Sequence, residues 1–206
     1  MKKPEISRPT LGRIPLYLKY LRSLPPNTES ISATAIAAGL GLGDVQVRKD
    51  LGILCGSGKP KTGYVRLELI ESLESYLECK NGGAVIVGGG QLGKALLDYR
   101  GFETFGISVL AAFDKRTAKA ESSAKGKPIL PVETLPSFCE NYEVNLGIIA
   151  VPAESAQEAC NLLYDSGIRA MWCFAPCQLY KPADAVIQYE NLALSLAHLK
   201  MQVNQL

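Results

Sequence analysis

Gly88, Gly90 and Gly93 stand in the run VIVGGGQLGKALLDY, Val85 to Tyr99, behind the apolar stretch Ala84 to Val87 and ahead of a helical pattern that starts at Gln91. Glycines collect wherever a strand turns into a helix, so this spacing alone is weak. The surrounding pattern gives each glycine a distinct role, in which Gly88 permits the tight turn, Gly90 beside Gly89 lets the backbone approach a pyrophosphate, and Gly93 lets the helix pack closely. Amides at the helix start then receive the anion. Asp114 ends a second apolar run 24 residues beyond Gly90, near the offset at which a carboxylate accepts bonds from an adenosine ribose. That carboxylate repels a 2′-phosphate by on the order of 4 kcal/mol per charge pair at 4 Å and moderate dielectric. The reading is therefore NAD rather than NADP, although Lys115 and Arg116 follow directly and pull the other way.

A dinucleotide fold places further loops beside the ligand at the carboxyl edge of its sheet. Val151-Pro152-Ala153 ends one strand and opens a helix, and Phe174-Ala175-Pro176 ends another. Both prolines also serve simply to start or stop elements. Apparatus for hydride chemistry is harder to find, because a dehydrogenase needs a proton-moving group beside the substrate carbonyl. His198 is the sole histidine and sits in the terminal helix. Tyr99 and Tyr164 are possible acids, but no Tyr-x-x-x-Lys pair follows a strand. Cys173 and Cys177 in CFAPC have the wrong spacing for a redox pair, and no clustered ligands suggest a metal site.

The front of the chain carries a different chemistry. Residues 1–66 hold eleven Lys and Arg against four Asp and Glu, a charge of +7, which leaves −5 for the remaining 140 residues. A basic front half suits a polyanion partner, though an unevenly charged solvated surface has the same tally. Ala37, Gly41 and Val47 have the spacing of a helix-turn-helix, with Ala37 facing the partner helix, Gly41 making the turn and Val47 anchored inward. Val45, Gln46, Arg48 and Lys49 are then left outward, able to meet base edges or phosphates in a major groove. Lys59 and Lys61, in the following loop, are placed to grip backbone phosphate as a wing.

The elements that must position these residues follow from periodicity. A helix over Pro9 to Leu24 buries Leu11, Ile14, Leu18 and Leu21, with Pro15 expected to bend it. Ser32 caps a helix ending near Gly39, a second helix covers Asp44 to Leu54, Gly56 to Tyr64 reads as a hairpin loop, and Leu67 to Leu77 is an amphipathic helix. KNGG, Lys80 to Gly83, marks a junction near residue 81, after which short apolar runs alternate with helices. Strands are expected at Ala84–Val87, Ile107–Phe113, Leu146–Val151, Ala170–Phe174 and Val186–Tyr189. Helices fall at Gln91–Tyr99, Glu133–Tyr142, Ala153–Ser166 and from about Asn191, with a polar loop and a turn around Lys127-Pro128. The fold class is thus α/β, a winged helix-turn-helix at 1–80 followed by a Rossmann doubly wound parallel sheet at 81–190. A terminal helix at 191–206 carries Leu192, Leu196, Leu199 and Val203 on one stripe, suited to closing its own domain or packing on another subunit. The start lacks the apolar core of a signal peptide and no run reaches membrane-spanning length, so a cytoplasmic protein with no membrane partner and no disulfides is expected.

These residues together resemble a known family. ISRPTLGRIPLYLKYL (Ile6 to Leu21), QVRKDL (Gln46 to Leu51), GGGQLGKALLDYRGF, AAFD, VPAESAQEA (Val151 to Ala159) and FAP are similar, in order and spacing, to the Rex family of redox-sensing transcriptional repressors. The resemblance implies a homodimer that exchanges its C-terminal helices, binds double-stranded operator DNA, and takes NADH and NAD+ as effectors, with NADH releasing the DNA. It implies DNA contacts from Arg48 and Lys49, and the expected DNA-binding set adds Arg8, Arg13, Gln46, Lys59 and Lys61. It places Gly88, Gly90, Gln91, Leu92, Gly93, Asp114, Val151, Pro152 and Ala153 along the dinucleotide, with Tyr99 near the nicotinamide, and the expected site adds Gly89, Lys115, Phe174, Ala175 and Pro176. The chain departs from the pattern at Gly52 to Cys55, at Pro60 in the wing, and at Ala193, where the family has an acidic residue that takes part in its redox switch. A small NAD-dependent oxidoreductase, or a related protein with altered redox discrimination, stands as the alternative.

Overall fold

The computed structural model describes residues 6–59, 62–77 and 82–203; Lys61 of the expected wing and the expected junction at residue 81 lie outside them. Two compact units emerge, one drawing on 1–79 and 104–106 and the other on 80–103 and 107–206.

In the first unit, α1 (Arg8–Ser23) starts where the Ser7 hydroxyl accepts from the Thr10 amide at 3.3 Å, satisfying one of the orphan donors of a helix start. Pro15 lies inside this helix, which continues through it to Ser23. The chain then forms β1 (Ser30–Ile31), α2 (Ala33–Leu40) and α3 (Asp44–Cys55). Ser32 caps α2 through the Ala35 amide, and Gly41 ends it at φ 64°, in the left-handed region where a glycine is at ease. Two-residue β2 (Tyr64–Val65) pairs antiparallel with β1, and Lys59 and Gly63 exchange backbone bonds of 2.7 and 2.8 Å to close the loop before it. α4 (Arg66–Leu77) completes the unit. Ile14, Tyr17 and Leu21 of α1, Ile36 and Ala37 of α2, Val47 and Leu51 of α3, and Leu69 and Leu73 of α4 form one buried core.

The second unit is built on a seven-stranded sheet of β3 (Gly83–Val87), β4 (Val109–Asp114), β5 (Glu121–Ser122), β6 (Pro128–Pro131), β7 (Val144–Ile149), β8 (Ala170–Cys173) and β9 (Val186–Tyr189) in the spatial order β5-β6-β4-β3-β7-β8-β9. Every pairing is parallel except that of β5 with β6. Read from β6 to β9, this is the Rossmann order, and the strand order reverses beside β3. The stretch around Lys127-Pro128, expected as a loop and turn, contains a true strand of this sheet. The helices are α5 (Gln91–Leu97), α6 (Leu135–Asn141), α7 (Ala153–Asp165) and α8 (Leu192–Val203). α5 stops two residues short of its expected end at Tyr99, and the segment that follows, Arg100–Phe105, is 3-10 helix. β3 is buried along its whole length, as a central parallel strand covered on both faces must be. By contrast, α8 buries none of its residues. Among the described residues no helix is long and apolar enough to cross a membrane.

Candidate functional site

The glycine turn sits where three strands end. Gly88 has φ +114°, and a side chain there would bring Cβ to 2.4 Å from the Ala150 carbonyl oxygen beyond β7. Its amide donates to the Phe113 carbonyl of β4 at 2.7 Å, and the Ala150 amide donates to Val87 at 2.8 Å. A Cβ on Gly93 would fall 1.8 Å from the Gly88 oxygen, whereas a Cβ on Gly90 would meet nothing within 4 Å. Two glycines therefore answer to internal packing, and the third leaves its backbone open to the outside, as close approach of a phosphate requires.

Asp114 lies against this turn. One oxygen accepts from the Gly89 amide at 2.6 Å, and the other accepts from the Arg116 amide at 2.8 Å and faces the Arg116 guanidinium at 3.4 Å. Burial pushes its pKa up, but the hydrogen bonds from the Arg116 and Gly89 amides and from the Arg116 side chain prevail and hold it below the usual carboxylate value. An ionised carboxylate has about four acceptor positions, so capacity remains for a hydroxyl pair.

A cavity of about 520 Å³ adjoins it, bringing together Gly88, Asp114, Lys115, Val151 and Pro152. The volume falls within the range of ligand pockets. Val132, Ser155, Glu158, Ala159 and Leu162 also line this space, and sequence reasoning missed them. Four of these lie on α7 at positions 155, 158, 159 and 162, the spacing of a single helical face, which was the available signal. Lys115 forms an ion pair with Glu158 across to that helix.

The other expected residues fall outside this cavity. Gln91 and Leu92 are exposed on the first turn of α5, and Ala153 starts α7. Phe174 and Pro176 flank Ala175, which is buried. Tyr99, 58 % exposed, begins an aromatic ladder: its ring meets Phe102 at 5.0 Å, Phe102 meets Trp172 at 6.0 Å, and Trp172 meets Phe174 at 4.3 Å. Phe102 and Trp172 carried no spacing signal; topology alone joins them. The possible acid Tyr164 donates its hydroxyl to Asp184 at 2.9 Å.

In the first unit, α3 is two-sided. Val47, Asp50, Leu51 and Leu54 are buried, while Val45 (80 % exposed), Gln46, Arg48 and Lys49 face outward. Arg48 pairs with Asp44 at 2.9 Å and donates to the Thr34 hydroxyl at 3.1 Å, so it is held upright beside the start of α2. Arg8 and Lys59 are exposed. Arg13, expected among the DNA-contacting cations, grips Asp50 with its guanidinium through bonds of 2.6 and 2.9 Å. Thr10 donates to the same carboxylate at 3.0 Å and Tyr17 at 2.7 Å. Burial opposes ionisation of Asp50, yet the hydrogen bonds from Arg13, Tyr17 and Thr10 keep its pKa low. Arg13 thus ties α1 to α3. A buried acid in this helix had no sequence signal, since Asp is almost always a surface residue.

Comparison with known proteins bears on both units. Residues 5–52 match a family model described as "Putative DNA-binding protein N-terminus", and residues 79–177 match one described as "CoA binding domain". The chain is similar to proteins named redox-sensing transcriptional repressor Rex. It is 35% identical to that of Treponema denticola over 95% of this chain and 94% of that one, and 34% identical to that of Bacteroides thetaiotaomicron over 98% and 91%. Among solved structures it resembles RSP in complex with beta-NAD+ and operator DNA, with TM-score 0.80, 28% identity and coverage of 98% of this chain and 94% of the other. It also resembles RSP in complex with beta-NADH, with TM-score 0.70, the same identity and coverage of 98% and 96%. With near full-length identity above 30% and both units accounted for in one order, the chain belongs to the Rex family of redox-sensing transcriptional repressors.

Proposed function

We propose that this protein is a DNA-binding transcriptional repressor that senses NADH against NAD+ and releases its operator when NADH binds. The observation that carries the reading is the joining, in one chain of this family, of an outward cationic face on α3 with a glycine turn left open at Gly90 beside an ionised Asp114. Gly88 to Gly93, Asp114, Val151 and Pro152 would hold the adenosine and pyrophosphate, and Tyr99 with its aromatic ladder would lie on the nicotinamide side. Gln46, Arg48 and Lys49 would meet the major groove, with Arg8 and Lys59 on phosphates. The protein works as a non-enzymatic regulator in the cytoplasm, as a homodimer joined through α8.

Effector control requires unequal affinity: a nucleotide that bound the DNA-competent and DNA-incompetent states equally would shift nothing. Retention of labelled operator DNA, titrated with NADH, NAD+, NADPH and ATP in parallel, tests this directly. NADH is expected to displace DNA at a concentration at least about tenfold below NAD+, matching a typical coupling energy. Equal retention with and without every nucleotide would overturn the proposal.

A further inference from the structure

We infer that the ion pair between Lys115 and Glu158 makes the pocket selective for a dinucleotide with a free ribose 2′-hydroxyl, by withholding the cation that a 2′-phosphate would need. The inference deepens the dinucleotide reading above and rests on it. Lys115 immediately follows Asp114 at the end of β4, in the position from which a basic side chain could reach a phosphate beside that carboxylate. The structure directs its ammonium elsewhere: Nζ contacts Glu158 on α7, and both residues line the 520 Å³ cavity. The two side chains are 54 % and 68 % exposed, which puts the pair on the solvent-facing rim of the cavity.

Charge inside the lining favours the same conclusion. Asp114, Glu158 and Asp165 oppose Lys115 and Arg116, so the wall is net negative where an extra dianionic group would have to sit. Arg116 is turned outward, 84 % exposed, with its amide and Nε directed at Asp114. Each cation is thus already matched to a carboxylate. A phosphate entering here would have to break an ion pair and would face Asp114 as well, whereas a hydroxyl pair needs only the free acceptor positions of Asp114.

The test is calorimetric binding of NADH and NADPH to the full chain, its E158Q variant and the double variant E158Q/K115M. The wild-type protein should favour NADH. In E158Q the neutral amide no longer holds Lys115, and the NADPH-to-NADH affinity ratio should rise about tenfold at low salt, a gain that shrinks as ionic strength increases. Adding K115M should return the ratio to its wild-type value. Equal affinities in the wild type, an unchanged ratio in E158Q, or a gain that survives K115M would each overturn the inference. Failure of the wild type to bind NADH at all would overturn the dinucleotide reading and this inference with it, and so is distinguishable from failure of the ion-pair argument alone.

Discussion

Asp50 is 3 % exposed and receives hydrogen bonds from three side chains of α1. A buried carboxylate is tolerated only when it is so paired, and removing one partner strands the others. Asp50→Ala leaves the Arg13 charge and the fully buried Tyr17 hydroxyl without an acceptor, and should cost the first unit about 3 kcal/mol in denaturant unfolding. Tyr17→Phe removes a single bond to a charged acceptor and should cost about 1.5 kcal/mol. A loss below about 0.5 kcal/mol for Asp50→Ala would show that the network does not hold the helices together. The pH dependence has a definite sign. With its folded pKa depressed, Asp50 contributes stability that is present above the unfolded Asp value of about 4 and is lost as pH falls through the lower folded value. In acid titrations, Asp50→Asn should lack that part of the decline.

The strand-turn-helix junction of β3 and α5 sorts its glycines by what surrounds them. Gly93→Ala puts a methyl carbon against backbone oxygen at 1.8 Å, so strand and helix must separate, and the second unit should lose stability together with NADH binding. Gly90→Ala meets open space and a φ of −70°; it should melt within about 1 kcal/mol of wild type yet bind NADH at least about tenfold more weakly. Equal NADH affinity for Gly90→Ala would argue against phosphate contact at that backbone. This junction was legible from sequence because the strand, the glycine spacing and the helix are contiguous. So was the helix capped by Ser32. β6 was not, since Pro128 and Pro131 bracket only Ile129 and Leu130, and a pattern that short carries no periodicity. β1 and β2 are shorter still. In the site, Asp114 and the glycines could be read from local spacing, and Glu158 from the face it shares with Ser155, Ala159 and Leu162, but Val132 reaches the cavity, and Phe102 and Trp172 reach Tyr99 and Phe174, only through the sheet order, which no local pattern encodes.

At the scale of the molecule, α8 poses a demand that the single chain does not meet. Leu192, Leu194, Leu196, Leu199, Met201 and Val203 are each more than half exposed, and Leu192, Leu196, Leu199 and Val203 share one stripe, apolar exposure of the kind that marks an association site. A second copy is the occupant expected from the proposed homodimer. Light scattering should report a dimer for the full chain and a monomer for a chain ending at Glu190, and the shortened chain should lose most of its operator affinity because only one half-site is engaged at a time. A shortened chain that remained dimeric would place the interface elsewhere. Assembly and stability are linked by mass action, so melting of the full chain should shift upward with protein concentration.

The division of labour along α3 has a consequence for how such a regulator changes over time. Val47, Asp50, Leu51 and Leu54 moor the helix while Gln46, Arg48 and Lys49 point away from the core. Substitutions at the outward positions can therefore swap one set of target promoters for another without disturbing the mooring, so gene choice can drift, or be engineered, independently of the machinery that responds to metabolism.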